Sequence, residues 1–483
     1  MRTWGRMMIG RMLGAGWLAG LAAVSGLAVL GAASAAELRP DQARFREVYK
    51  ELVETNTSLS VGSCTEAAAK MGARLKAAGF ADAQLTYYAV AEHPKDGGLV
   101  AVLPGSSKTA RPMLLLGHLD VVEARRADWT RDPFVLIEEN GYFYGRGTSD
   151  MKVIDSTWVD MLVRFKEAKY APKRTIKLAL TCGEETVTAF NGAEWLATNR
   201  RALIDAEFAL NEGGGGRADA AGKLQTQGVQ VTEKVVQQFR METTNPGGHS
   251  SVPIADNAIY QLAQALLKVR DHEFPLTLNE TTRAFFARAG AGRSDPMGLA
   301  MTAIARDPGD KAAEARLNGD RTFHSMLRTT CVATLLDGGH AENALPQRAG
   351  ANINCRMFPG STMAATKAEL EAAIGDAGVT LTPLQPIRGK PAPAALDRKI
   401  MGPIEAVAAK HFPGVPVIPT MSTGASDAIY LTPAGIPTYG VPGFWSGPEG
   451  SGAHGLNEHM SVASVYAGRD YLTDLVKALA DGG

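Results

Sequence analysis

The stretch Thr181-Cys182-Gly183-Glu184-Glu185-Thr186 comes directly after 174–180, a run in which apolar and polar side chains alternate. This alternation predicts a strand of an α/β sheet that ends in two carboxylates. Consecutive side chains of an extended chain point in opposite directions, so Glu184 and Glu185 are expected to have different roles. One carboxylate is suited to bind a cation while the other transfers a proton. A solvated pair that caps the following helix is the alternative interpretation.

A histidine and an acid follow a second predicted strand. The continuous apolar run 112–116 is typical of a strand buried on both faces, and it ends in Gly117-His118-Leu119-Asp120. His118 and Asp120 are two residues apart, so they project from the same side of an extended segment. A metal-bound imidazole commonly has its other nitrogen held by a carboxylate, and Asp120 is placed to hold His118 in this way.

Metal-binding residue types recur at further strand ends and glycine-rich loops. Asp150 follows glycines at 145 and 147 and precedes a predicted helix, for which it is alternatively an N-cap. Ligand sites of open α/β sheets lie beyond the carboxyl ends of the strands, where such residues meet. The candidate ligands are His118, Asp150, Glu185, Glu212 and His454. They offer nitrogen and oxygen but no thiolate, which suits a pair of zinc, cobalt or manganese ions better than a structural zinc.

The composition is that of a large enzyme. The 483 residues include 45% hydrophobic and 21% charged residues, and a chain of this length is expected to divide into two domains. The 50 basic residues balance 50 acidic ones, so the sequence has no basic footprint for nucleic acid. Among its four cysteines, Cys331 and Cys355 flank the turn-rich 337–346 and are expected to face each other across a hairpin, whereas Cys64 and Cys182 have no evident mate.

The N-terminus has the form of a secretion signal. Three arginines precede the apolar run 12–32, and Ala33-Ser34-Ala35 matches a signal-peptidase site. Residues 1–35 are therefore predicted to be a signal peptide, and the protein is predicted to be periplasmic or secreted. An uncleaved N-terminal anchor is the alternative, and in that case alone do we expect contact with a membrane.

Four motifs together carry a resemblance to a known family. In their order and spacing, they are Gly117-His118-Leu119-Asp120, 145–152, Gly183-Glu184-Glu185 and Ala453-His454-Gly455. On these motifs the chain resembles the M20 family of metallopeptidases, which includes carboxypeptidase G2, succinyl-diaminopimelate desuccinylase and aminoacylase. The resemblance covers essentially everything after the signal peptide.

The resemblance implies an α/β fold with two domains. A zinc-peptidase-like catalytic domain, with a central mixed sheet flanked by helices, would comprise 36–232 and 360–483. An inserted α+β lid or dimerisation domain would comprise 233–359. Within it, the segment 270–328 matches no motif of the family and is expected to shape the specificity pocket.

The resemblance also implies a two-metal site, with zinc expected and cobalt or manganese as alternatives. Asp150 would bridge the metals and be followed by a cis peptide to Met151, a position where many relatives have a second Asp. His118 and Glu212 would complete one metal site and Glu185 and His454 the other. The implied catalytic residues are Glu184 as general base, Asp120 as the partner of His118, and His249, which polarises the scissile carbonyl from a partner subunit.

The substrate is expected to carry a free carboxylate. By resemblance, Asn343 and Arg356 of the lid contact substrate, as do Gly424 and Asp427 of a later loop. A planar guanidinium suits a carboxylate because it donates two parallel hydrogen bonds. We therefore predict an exported di-metal hydrolase of the carboxypeptidase or dipeptidase type, which acts as a homodimer through the lid.

Three other functions are considered. The first is an aminoacylase-like enzyme that hydrolyses N-acyl amino acids and needs the same carboxylate contact. The second is a non-catalytic binding protein on the same fold, which is disfavoured because no ligand or base has been lost. The third is a serine hydrolase, but Gly424-Ala425-Ser426-Asp427 lacks the Gly-x-Ser-x-Gly turn of that class.

Overall fold

The computed structural model describes residues 38–186, 190–384, 394–441 and 443–482, and the predicted signal peptide lies outside them. The helices in these residues are α1 Pro40–Glu54, α2 Cys64–Ala77, α3 Lys152–Glu167, α4 Gly192–Asn199, α5 Arg201–Ile204, α6 Ala258–Asp271, α7 Glu280–Ala291, α8 Pro296–Arg306, α9 Lys311–Asn318, α10 Arg321–Met326, α11 Met363–Ile374, α12 Arg398–His411, α13 Ala428–Leu431 and α14 Val462–Asp481. In the part of the chain searched, none of these helices has the length and apolar character needed to cross a membrane.

The strands of the described residues fall into four sheets. They are β1 Leu85–Val90, β2 His93–Leu103, β3 Met113–His118, β4 Ile137–Glu139, β5 Tyr142–Tyr144, β6 Ile176–Thr181, β7 Phe208–Asn211, β8 Gly214–Ala218, β9 Leu224–Glu233, β10 Val235–Thr244, β11 Gly248–His249, β12 Thr330–Gly338, β13 Ala344–Leu345, β14 Arg348–Met357, β15 Val379–Pro383, β16 Val417–Ser422, β17 Thr438–Gly440, β18 Trp445–Ser446 and β19 His459–Ser461.

The largest sheet is mixed and has the order β1-β2-β6-β3-β7-β17-β9-β8-β18, with β16 also paired to β9. Its centre, β6-β3-β7-β17, is parallel, while β1, β2 and β8 join antiparallel neighbours. Every residue of β3 is buried, as its continuous apolar sequence predicts. The predicted α/β fold with a mixed sheet between helices is confirmed.

Both faces of β3 are covered by helices. Leu114 and Leu116 belong to a core cluster that includes Leu196 of α4 and Leu431 of α13. On the other face, α3 approaches so closely that a Cβ at Gly117 would lie 1.9 Å from Oδ1 of Asp155. Glycine is therefore required immediately before the predicted ligand His118.

A second, four-stranded sheet has the order β12-β14-β10-β15. Its core includes Leu262 of α6, Leu370 of α11 and Leu381 of β15. This sheet extends beyond residue 359, where the inserted domain was predicted to end. Strand β15 returns to pair with β10 along five residues from Phe239 to Thr243, and α11 packs beneath it.

The segment that matched no family motif forms four helices, α7 to α10. They pack around Phe286, Met301 and Leu317. Their core cluster also includes Phe358, which follows β14, and Met421, which belongs to β16. Helices α6 to α10 each begin after a residue whose side-chain oxygen accepts a backbone N–H of the first turn, as good N-caps do. These caps are Asn257, Asn279, Asp295, Asp310 and Asp320.

Two disulfides join segments that are distant in the sequence. Cys331 of β12 faces its cross-strand neighbour Cys355 of β14, as the sequence suggested, and is bonded to it. Cys64 and Cys182, which had no evident mate, are also bonded to each other, across 118 residues. Their proximity depends on how α2 packs beside the sheet, so the spacing of the cysteines in the sequence does not predict it.

Candidate metal centre

The metal centre forms where three neighbouring parallel strands end. Strand β3 ends at His118, β6 ends at Thr181 just before Glu184 and Glu185, and β7 ends at Asn211 just before Glu212. Since β3 lies between β6 and β7, their carboxyl ends meet at one edge of the sheet. The parallel register therefore brings together residues that are almost 100 positions apart in the sequence.

His118 is the centre of one group of potential ligands. Its Nε2 atom lies 3.3 Å from Oδ1 of Asp150, 3.6 Å from Oε1 of Glu212 and 3.8 Å from Oε2 of Glu184. The imidazole is buried, and the three carboxylates are partly buried around it. The predicted ligands of the first metal thus lie together, with the predicted general base beside them.

His454 and Glu185 form the second group. The Nε2 atom of His454 lies 3.1 Å from Oδ2 of Asp150 and 2.9 Å from Oε2 of Glu185. Asp150 therefore faces His118 with one carboxylate oxygen and His454 with the other. The predicted cis peptide between Asp150 and Met151 is also present.

The donor atoms fit a cation. His118 Nε2 and Asp150 Oδ1 are buried and have no hydrogen-bond partner among the described residues. Ligand atoms about 2.0–2.1 Å from a tetrahedral zinc ion lie about 3.3 Å apart, close to the spacings of both groups. Burial, together with neighbouring carboxylates, raises the pKa of Glu212 to about 7 and the pKa of Glu184 well above its ordinary value, although His118 lowers both. A bound cation would offset this repulsion.

Asp120 contacts His118 with its backbone carbonyl and, at a longer distance, with its carboxylate. Nδ1 of His118 lies 3.0 Å from the backbone carbonyl oxygen of Asp120, whereas the nearest carboxylate oxygen of Asp120 is 3.7 Å away. The other carboxylate oxygen accepts the backbone N–H of Glu185 at 3.0 Å. The short turn after β3 brings the carbonyl nearer to the ring, so the carboxylate of Asp120 mainly positions the Glu184-Glu185 segment.

Comparison with known proteins agrees with this geometry. The model of peptidase family M20/M25/M40 matches residues 114–478, which is more than half of the chain. The chain belongs to peptidase family M20/M25/M40. As an M20 protein it is a hydrolase that acts on C–N bonds, as the sequence predicted.

Among relatives of this M20 hydrolase is the "Probable carboxypeptidase S-like 2" of Dictyostelium discoideum, 28% identical over 67% of this chain but only 63% of its own length. Another is the "N-fatty-acyl-amino acid synthase/hydrolase PM20D1" of Homo sapiens, 24% identical over 78% of this chain and 75% of its own. An M20 metallo-carboxypeptidase structure from Sulfolobus solfataricus shares the fold, with a TM-score of 0.67, 18% identity and coverage of 92% and 100% of the two chains.

Glu458 is a residue of the M20 site that sequence reasoning missed. Its carboxylate is fully buried and accepts hydrogen bonds from the backbone N–H groups of Gly147, Ser149 and Asp150. It also pairs with Nη1 of Arg146 at 2.7 Å, while Nη2 of Arg146 donates to the carbonyl of Gly455. Glu458 and Arg146 therefore hold the Asp150 loop and the His454 loop together. No local pattern signals this role, because the partners are 308 or more residues apart.

Asp427, which was predicted to contact substrate, is hydrogen-bonded to other residues of the chain. Its side chain is buried and accepts hydrogen bonds from Nδ2 of Asn191 at 2.7 Å and from Oγ1 of Thr181 at 3.2 Å. Nδ2 of Asn191 also donates to the carbonyl of Gly183. Through Asn191, these contacts connect Asp427 to the turn that carries Glu184 and Glu185. Gly424, the other residue predicted in this loop, is partly exposed and donates its N–H to Oγ of Ser422.

The predicted lid residues are His249 on β11, Asn343 just before β13, and Arg356 on the second sheet. His249 and Asn343 are exposed neighbours, since the N–H of Ser250 donates to the carbonyl of Asn343. In the described residues, neither of them forms a hydrogen bond or ion pair with the metal-centre residues. Arg356 lies on β14 opposite Thr330 and is partly buried. The chain as described therefore brings together the five ligands, Glu184 and Asp120, but not His249 or Asn343.

Proposed function

We propose that the chain is a dinuclear metallohydrolase that cleaves an amide bond next to a free carboxylate. The observation that supports this most directly is that Asp150 is shared between the His118 group and the His454 group. In this proposal His118, Asp150 and Glu212 hold one metal, and Asp150, Glu185 and His454 hold the other. Zinc is the expected metal, with cobalt or manganese as alternatives, because the donor set is nitrogen and oxygen.

Glu184 transfers the proton in the proposed reaction. Two divalent cations held by these residues would supply an acidified water and would polarise the scissile carbonyl. Glu184 lies beside the cluster, with Oε2 3.8 Å from Nε2 of His118, so its carboxylate is within reach of a water held by the two ligand groups. It accepts the proton of the attacking water and returns it to the leaving amine. His249, supplied by a partner subunit, donates a hydrogen bond to the carbonyl oxygen as charge develops there.

Arg356 is the proposed anchor for the substrate carboxylate. Burial lowers the pKa of its guanidinium, which means that the charge is partly removed from water. Within residues 38–186, 190–384, 394–441 and 443–482, no carboxylate forms an ion pair with it. A partly buried cation without a counter-ion is costly, and a bidentate carboxylate would offset that cost. Asn343 and Gly424 are proposed to contact the same substrate.

Two substrate classes satisfy this arrangement. Peptides with a free C-terminus, as for a carboxypeptidase or dipeptidase, are the first. N-acyl amino acids are the second, and they place the same carboxylate on the amine side of the scissile bond. The human relative named as an N-fatty-acyl-amino acid synthase/hydrolase supports this second candidate.

We also propose a homodimer formed through the lid. Strand β12 is at the edge of its sheet and exposes three large apolar side chains: Val332 is 60% exposed, Leu335 63% and Leu336 70%. A long apolar edge strand is a template for pairing with another strand, and natural proteins usually cover such an edge. Pairing with a second copy would cover it. Sedimentation of Leu336→Asp should then give monomers, whereas the exposed-site control Leu59→Asp stays dimeric.

Export is proposed from the predicted signal peptide and is supported by the two disulfides, since such bonds persist mainly in oxidising compartments. N-terminal sequencing of the protein from the periplasm or culture medium should begin near residue 36. An intact N-terminus in the membrane fraction would instead indicate the anchor.

One assay tests the proposed chemistry. Metal-free protein is titrated with zinc, and hydrolysis is followed on dipeptides, N-acyl amino acids and the carboxamide of each substrate. We expect two metals per chain and turnover of free-acid substrates at least tenfold above their carboxamides. Failure to bind a divalent metal, as expected of a non-catalytic binding protein, would contradict the proposal, and so would equal turnover of acids and carboxamides.

A further inference from the structure

The Cys64–Cys182 disulfide lies beside Asp120, just before the turn that carries Glu184 and Glu185. One carboxylate oxygen of Asp120 and the two sulfur atoms all lie within 4.8 Å of one another, and the three residues are buried. Thiolate sulfur and carboxylate oxygen are ligands that zinc accepts in proteins. The sulfur atoms of an intact disulfide are not thiolates, so reduction of the bond is the condition for a metal site here.

A small cavity borders these three residues and favours a cation. Its volume is about 10 Å³, close to the space that one water needs. Asp96 and Asp120 both line it, and none of the described residues around it is basic. Oδ1 of Asp120 is buried and has no hydrogen-bond partner in the part of the chain that the structure describes. A buried polar atom without a partner is destabilising, and a cation beside it would offset that cost.

The elements that carry the two cysteines suit a thiolate site. Cys64 is the first residue of α2, and the N-terminal end of a helix stabilises a negative charge. Cys182 directly follows β6, and its carbonyl accepts the N–H of Gly192 at 2.7 Å. The Cα atoms of the two cysteines are 6.0 Å apart. Two sulfur ligands about 2.3 Å from a tetrahedral zinc lie about 3.8 Å apart, a separation that rotation of these side chains can reach.

The cluster is distinct from the metal centre, although Asp120 connects the two. None of the five predicted metal ligands belongs to it. The Oδ2 atom of Asp120 accepts the backbone N–H of Glu185 at 3.0 Å, so one oxygen of this carboxylate positions the Glu184-Glu185 segment. An ion bound by the cluster would therefore lie next to the metal centre without using its ligands.

The second disulfide provides a matched comparison. Cys331 and Cys355 are also bonded to each other, but they join two strands of the second sheet. In the described part of the chain, no His, Asp or Glu forms a comparable cluster with them. Two thiols without a third ligand are a poor zinc site, because zinc in proteins is held by three or four protein ligands.

We propose that Cys64, Cys182 and Asp120 form a third metal site, which becomes available when the disulfide is reduced. A small dithiol supplies the two electrons: the S–S bond breaks, the reductant forms its own disulfide, and the protein gains two thiols. A zinc ion then replaces the two thiol protons, which pass to water, and is also held by the carboxylate of Asp120. A further ligand comes from the cavity, as Asp96 or as water. The inference is independent of the proposed amide hydrolysis, because it concerns metal uptake alone.

The test compares the oxidised and the reduced full-length protein. Each is incubated without air in excess cobalt(II), and the unbound ion is removed. The reductant is a trialkylphosphine, which supplies two electrons without adding a competing thiol. After reduction we expect one more cobalt ion per chain by mass spectrometry, and a near-ultraviolet absorption band from charge transfer between sulfur and cobalt. Reoxidation of the same sample should release this ion and remove the band.

Two double variants assign the additional ion to its ligands. Cys331→Ser with Cys355→Ser should still take up one more cobalt ion on reduction. Cys64→Ser with Cys182→Ser should bind the same number of ions under both conditions, and circular dichroism checks that it is folded. If it is not, release of the ion on reoxidation of the first variant makes the assignment, since Cys64 and Cys182 are then its only cysteines.

Two results would overturn the inference. The first is an equal cobalt content without a charge-transfer band, in reduced protein whose four thiols are confirmed by titration. The second is a Cys64–Cys182 bond that the phosphine fails to reduce in the folded protein. Neither result bears on the proposed hydrolysis, which is measured on the oxidised protein.

Discussion

The backbone N–H of Asp150 donates to Oε1 of Glu458 at 2.9 Å. This bond fixes the carboxylate that both ligand groups share, although Glu458 itself is 308 residues away in the chain. The carboxylate of Glu458 also pairs with Arg146, whose guanidinium lies 5.0 Å from the centre of the Trp129 ring. The position of Asp150 in the metal centre thus depends on the buried Glu458–Arg146 ion pair, although neither residue is a predicted metal ligand.

Removing the charge of Glu458 should weaken metal binding. Glu458→Gln leaves the guanidinium of Arg146 buried without a counter-ion and presents an amide group to the backbone N–H donors of the Asp150 loop. Loss of groups that orient ligands typically lowers metal affinity 10- to 100-fold, and we expect a change in that range. Competition titration with a zinc-chelating dye measures it. The exposed Glu92→Gln serves as a control, and unchanged affinity in Glu458→Gln would show that the loop is held by other contacts.

The adjacent acids Glu184 and Glu185 should respond differently to substitution. Glu184→Ala should still bind two metals but lose about 10²- to 10⁴-fold in kcat, the usual range for general acid–base catalysis. Glu185→Ala should lose one metal, because Glu185 lies beside His454. Metal analysis by mass spectrometry and steady-state kinetics distinguish the two variants. Loss of a metal in Glu184→Ala would instead make Glu184 a ligand.

Arg356 should act on the substrate carboxylate alone. Arg356→Ala is expected to raise KM for free-acid substrates about 10- to 100-fold, since a hydrogen bond to a charged group contributes about 1.5–3 kcal/mol. For the corresponding carboxamides, the same substitution should change KM much less. Measuring KM for the free acid and the carboxamide in both wild type and Arg356→Ala isolates the interaction between the guanidinium and the carboxylate. An equal rise in KM for both substrates would mean that the carboxylate binds elsewhere.

The stability of the protein should depend on pH through Glu233. This buried side chain accepts hydrogen bonds from Gln230 and Ser426, and burial raises its pKa to about 8. In the unfolded chain its pKa is about 4.3, so folding favours the protonated form. The contribution of protonated Glu233 to the free energy of unfolding is fully present below pH ~4.3 and is lost as the pH rises through about 8.

Glu233→Gln, which stays neutral, should therefore differ in its pH profile. The difference in Tm between Glu233→Gln and wild type should increase in favour of the variant between pH 5 and pH 8.5, as measured by thermal unfolding followed by circular dichroism. The exposed Glu47→Gln should show no such trend. A constant difference across this range would mean that Glu233 ionises normally in the folded protein.

The sequence by itself determined the parallel core of the fold and most of the metal centre. Apolar runs identify β3, β6 and β7, and the carboxyl ends of parallel strands meet at one edge. Residues that follow those strands, such as His118 and Glu212, can therefore be placed together without coordinates. Asp150 and His454 do not directly follow a buried parallel strand; glycine-rich loops indicated them as candidate ligands, and the likeness to a family assigned them to the two metals.

Only the tertiary structure decided what supports and surrounds that centre. The Glu458–Arg146 pair, the burial of Asp427 against Asn191 and the Cys64–Cys182 bond all join segments whose separation carries no periodic signal. The position of α7, α8 and α10 against Met421 of β16 is also set by tertiary packing. Periodicity reports which face of an element is apolar, but not which other element covers it, and this choice is made by the packing of the whole chain.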